Sequence, residues 1–159
     1  MPEEHERRED RSKDEQERLN RQMMELLNEL RVAMPGVQIL FGFLLTVPFQ
    51  QRFSQVNDFQ QGVYFVTLVT AAAAAALLIA PSAYHRVMFE QQDKPNIIHL
   101  GTAQLLVGLA ALAIAMNGAV LLVTDVLFSA GTVTVTVVLL STLYFTLWFG
   151  FGLVRRISK

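Results

Sequence analysis

The chain has 159 residues, 52% of them hydrophobic, with a mean hydropathy of +0.36 and a formal net charge of −1. Balanced charge offers no basic patch for nucleic acid, and the lack of cysteine excludes disulfides, thiolate metal sites and cysteine nucleophiles. Residues 1–31 hold ten of the 14 acidic residues and seven of the 13 Lys+Arg, so the remaining body carries too little charge to cover a soluble domain and reads as a membrane domain.

Residues 1–12 are dense in charge, and disorder is expected there. Ser12 and Glu15 have the spacing of a capping box, which predicts a helix start. Leu19, Met23, Leu26 and Leu30 then form an a/d-like apolar stripe on an amphipathic helix over 13–33, expected to be cytoplasmic or interfacial. That stripe has three possible uses: lying on the membrane surface, sealing the base of the membrane domain, or pairing with another copy. The head is too long and acidic for a signal peptide and is expected to be retained.

Four apolar runs follow, at about 32–49, 62–80, 97–123 and 130–154, each near the ~20 residues that a helix needs to cross a bilayer. They are continuous rather than ~10-residue alternating segments, which excludes a β-barrel. The expected fold is all-α: a four-helix transmembrane bundle over 32–154, preceded by the amphipathic helix and followed by a basic tail, 155–159. The connections near 50–61 and 124–131 carry one base and none. The 81–96 connection holds Arg86 and Lys94, and the tail holds three bases. The positive-inside rule therefore puts both termini and the 81–96 connection in the cytoplasm. Trp148, Phe149 and Phe151, just before Arg155 and Arg156, suit an interfacial anchor.

The candidate polar sites are few. In the first run Arg31, Gln38 and Gly42 share one helix face, with Pro35 and Thr46 beside it. Gln38 is read as an interhelical hydrogen-bonding group, or else as a solute contact. Pro48 and Pro35 each remove a backbone donor, from the carbonyls of Leu44 and Arg31, and Pro48 sits where the span would end. The second run has Thr67, Thr70 and Ala74 on one face of an alanine-rich helix. In the third, Gly101, Gln104, Gly108, Ala111, Ala115 and Gly118 make a small-residue contact face with one polar member, Gln104. Gln38 and Gln104 are candidates to face each other. His85 and Arg86 are candidate lipid-headgroup contacts, with a purely topological role as the alternative.

Absences narrow the function further. No acid or base lies at the middle of a run, where proton- or cation-coupled carriers place one. There is no phosphate-binding glycine loop, nucleophile elbow or metal-ligand spacing, so no enzyme, cofactor or metal is expected. The expected partners are the lipid bilayer and a second copy or another membrane protein. A small channel or transporter, with a polar path near Gln38, Thr67, Thr70 and Gln104, is the alternative.

"ELRVAMPGVQILFGFLLTVPFQQRF" (29–53) and "LLIAPSAYHRVMF" (77–89) resemble a family of small, mostly actinobacterial, four-span membrane proteins of unknown function. The resemblance rests on Gly36-Val37-Gln38, Leu45-Thr46-Val47-Pro48-Phe49 and His85-Arg86, and covers about residues 25–154. Pro35 departs from the family pattern. The resemblance implies a bacterial plasma-membrane protein and no established reaction. Proton or sodium exchange is sometimes attached to such proteins by name, and the lack of a mid-membrane acid argues against it here.

Overall fold

The computed structural model describes residues 2–87 and 94–150, and the side chains of 13–84 and 98–150 apart from those of residues 52 and 149. Helix α1 spans Pro2–Thr46, α2 Asp58–Val87, α3 Lys94–Leu127 and α4 Ala130–Phe145. Short 3₁₀ turns, Val47–Phe49 and Gln51–Gln55, join α1 to α2, and a π turn, Thr146–Gly150, continues α4. No strand occurs among the described residues. Among the described residues four helices are long and apolar enough to cross a membrane, so the chain is a multi-pass membrane protein.

The first helix differs from expectation. Instead of a disordered 1–12, a helix start near Ser12 and a junction near residue 33, a single helix of 45 residues runs from Pro2. After Pro2, which suits a first helical position, Glu, Arg and Lys are good helix formers and no glycine intervenes before Gly36. Once nucleated, the helix therefore extends at little cost.

Packing explains why α1 does not break at the membrane boundary. Its buried residues are Met23, Leu26, Leu30, Val37 and Leu44, in steps of three, four or seven. Helix α2 buries Tyr64, Thr67, Ala71, Ala74, Leu78 and Pro81, and α3 buries Gly101, Leu105, Gly108, Leu112, Ala115 and Leu122. All three follow the same heptad spacing, which is the spacing of left-handed packing. One seam thus runs from the polar half of α1 into its apolar half, and Pro35, exposed on the other side, leaves it intact.

Helices α2 and α3 are antiparallel in a register that can be read from their contacts. Gln60 meets Asp125, Thr67 meets Gly118, Leu78 meets Gly108 and Pro81 meets Gly101. At ~1.5 Å per residue, Gln60 to Pro81 covers about 32 Å, close to one hydrocarbon thickness. These two levels are the Gln60 end and the Pro81 end of the helix group. A Cβ on Gly101 would lie 2.6 Å from the Leu26 side chain and 3.4 Å from that of Pro81, so glycine permits a three-way close approach there. The stripe Met23–Leu26–Leu30 therefore closes the Pro81 end of the helix group, one of its three expected uses.

Pro81 was expected to open the second connection, yet α2 continues through it to Val87. Its buried ring packs on α3 at Gly101, and this tertiary contact offsets the lost helix hydrogen bond. Nor is the bundle closed by its fourth member. Among the described residues the α4 backbone comes close to that of α3 but not to that of α1 or α2, and Val133 is its one buried residue. The architecture is a three-helix group with α4 on the outer side of α3.

Candidate functional site

The heptad phase decides where each polar candidate points. Val37 occupies the seam of α1, so Gln38, one position on, is exposed, as are Arg31, Pro35, Gly42 and Thr46. Among the described residues, no heavy atom beyond the adjoining residues and backbone of α1 itself lies within 4 Å of a Cβ built on Gly36 or Gly42. The whole face read from the sequence is therefore present, and it faces away from the other helices.

Gln104 lies on α3 and is half-buried; its Oε1 is buried with no hydrogen-bond partner. The expected pairing of Gln38 with Gln104 is not formed, because one amide is outside the helix group and the other within it. Thr67 is buried against Gly118, and its hydroxyl donates to the Val63 carbonyl at 2.7 Å. The Thr70 hydroxyl donates to the Val66 carbonyl, also at 2.7 Å. Both threonines are thus satisfied within α2, as threonine in a membrane helix commonly is. Gln38, Thr67, Thr70 and Gln104 do not converge on one path within a single chain.

Pro48 ends α1 and hands over a carbonyl in doing so. Proline has no N–H to return to Leu44. The buried Tyr64 hydroxyl donates to the Leu44 carbonyl at 3.1 Å instead. Phe53 stacks edge-on against the Tyr64 ring at a centroid distance of 5.1 Å, which ties the 3₁₀ turns to α2. No reading of the sequence pointed to Tyr64, because its role depends on a carbonyl twenty positions away.

The Gln60 end holds the group with the clearest binding geometry. A cavity of about 580 Å³ lies between the end of α1, the 3₁₀ turns and the end of α3. Apolar side chains line most of it, among them Phe43, Val47, Phe53, Leu122 and Val126, and Gln50, Gln55, Gln60 and Asp125 add polar groups. Gln60 Nε2 donates to Asp125 Oδ2 at 2.9 Å. At the start of α2 a reciprocal cap fixes the same glutamine: Asn57 N–H donates to Gln60 Oε1 at 3.1 Å, and Gln60 N–H donates to Asn57 Oδ1 at 2.9 Å. The Asn-x-x-Gln spacing is a legible sequence signal for that cap, but nothing in the sequence links it to Asp125.

Elsewhere, Asn117 on α3 accepts from the Ser141 hydroxyl on α4 at 3.3 Å, a polar tie between these helices. His85 and Arg86 continue α2, but their side chains lie outside those described. So do Phe149 and Phe151 of the expected aromatic anchor and the basic tail, whereas Trp148 stacks beside Tyr144 at 5.4 Å. Among the described residues no three His, Asp or Glu side chains are grouped to hold a metal.

Residues 12–152 match a family of unknown function, DUF6328. No curated protein and no solved structure matches the chain.

Proposed function

The chain belongs to the DUF6328 family of unknown function, and from that premise we propose that it is a self-associating structural or interaction component of a bacterial plasma membrane rather than an enzyme. Both termini are cytoplasmic in this reading, supported by the bases in the head, at Arg86 and Lys94, and in the tail.

The observation that carries the proposal is the exposure of Gln38 beside the open Gly42. Hydrocarbon cannot bond an amide, so Gln38 gains from a protein partner. A second copy supplies one at the same depth, because an amide both donates and accepts. Gly42, one turn along the same face, leaves the surface beside Gln38 flat enough for close helix approach.

The chain has no cysteine, so single substitutions report contacts without background. Gly42→Cys is expected to give a disulfide-linked dimer on oxidation in native membranes, whereas Phe65→Cys, exposed on α2, gives none. Absence of a Gly42→Cys dimer, together with migration as a monomer and recovery of no other membrane protein, overturns the reading.

A further inference from the structure

The cavity at the Gln60 end has a chemistry of another kind from the Gln38 face of α1. It exists because the chain does not turn tightly from α1 into α2: Pro48 stops α1, and residues 47–57 cross as 3₁₀ turns and extended backbone. A tight helical hairpin closes in ~2–5 residues and brings the helix ends together. The longer connection here roofs an open space of about 580 Å³ beside the end of α3, within the range of small-ligand sites.

Its lining joins apolar walls, from Phe43, Phe53, Leu122 and Val126, to one carboxylate. Asp125 is the single charged side chain lining the cavity among the described residues. It is half-buried, and Gln60 Nε2 holds its Oδ2 at 2.9 Å. The Asn57–Gln60 cap fixes that glutamine in turn, so the carboxylate is oriented before anything binds. A neutral amide orients a carboxylate without neutralising it, and among the described residues nothing cationic lines the cavity, so a cation is the complement that its carboxylate favours. Phe53, held by its edge-on contact with Tyr64, and Phe43 also line the space, and aromatic rings are side chains to which cations are attracted.

We infer that this cavity binds an amphiphilic ammonium compound, with the cationic head on Asp125 and the apolar body along the walls. The ammonium could come from the headgroup of an aminophospholipid or from a free amphiphilic amine.

The test uses the full chain in nonionic maltoside detergent and radiolabelled dodecyltrimethylammonium as the probe. Saturable binding near one probe per chain is expected. Asp125→Asn should weaken it by about tenfold or more, while Asp125→Glu, which keeps the charge, stays within about threefold of the parent. On the unaltered chain, dodecyldimethylphosphine oxide, of similar shape but without net charge, should compete about tenfold less well. That comparison stands even if Asp125→Asn fails to fold. Displacement of the probe by phosphatidylethanolamine supports the lipid as the source, and saturable binding that resists it supports a free amine. Equal competition by the neutral analogue, unchanged affinity in a folded Asp125→Asn, or no saturable binding overturns the inference.

Discussion

Pro48 and Tyr64 act as one device. The proline ends α1 by withholding an N–H from the Leu44 carbonyl, and the Tyr64 hydroxyl takes that carbonyl from α2. Tyr64→Phe should therefore lower stability by about 1–2 kcal/mol, measured by thermal unfolding in detergent. Pro48→Ala restores an N–H that can bond Leu44, so Tyr64→Phe should cost less in that background. A double-mutant cycle with no coupling removes the link. Gly118 and Thr67 form a second coupled pair, since a Cβ at Gly118 would meet the threonine hydroxyl and methyl. Gly118→Ala is expected to destabilise by about 1–3 kcal/mol, and adding Thr67→Ala, which clears the space, should recover most of the loss. Gln104 predicts the opposite sign. Its Oε1 is buried without a partner, so Gln104→Met should leave stability unchanged or raise it by about 1 kcal/mol in the same assay. The sequence drew attention to Gln38 and Gln104 because amides stand out in apolar runs. It was silent on Tyr64, whose worth lies in a distant carbonyl.

Among the helices, hydropathy and packing phase carried different information. The four spans were legible because run length decides membrane crossing. The junction expected near residue 33 was not real, because polarity changes there while the heptad seam of α1 does not. The seam passes from Met23 to Leu44, and only its first half stood out, on a polar background. Further along, every neighbour is apolar and the buried position is camouflaged. Pro81 was misleading for a related reason: proline predicts a helix end from local chemistry, whereas its fit against Gly101 is tertiary. If the stripe closes the Pro81 end as the contacts indicate, Leu26→Ala should cost about 2–4 kcal/mol by thermal unfolding. Val32→Ala, at a position 82% exposed, should cost little. Equal effects from the two would mean that the first half of α1 contributes no packing.

Across the whole molecule, the parts differ in what holds them. Helices α1, α2 and α3 share a seam with interlocking small and large residues, while α4 rests on α3 through Val133 and the Ser141–Asn117 hydrogen bond. In a bilayer, lipid covers apolar surface as well as another helix does, so association depends on close packing and polar ties. The antiparallel seam of α2 and α3 supplies close packing, and α4 has little of it. Stability should be unevenly distributed as a result, with α4 leaving before the other three separate. A chain ending at Phe128 is therefore expected to insert, to stay soluble in mild detergent and to keep a cooperative thermal transition. A chain starting at Arg31, which lacks Met23, Leu26 and Leu30 but keeps all four apolar runs, should lose that transition or show it at a much lower temperature. The contrast separates packing from hydrophobicity, because the first deletion removes a complete apolar span and the second removes mostly polar sequence. If the first collapses and the second does not, α4 rather than the α1 stripe completes the fold.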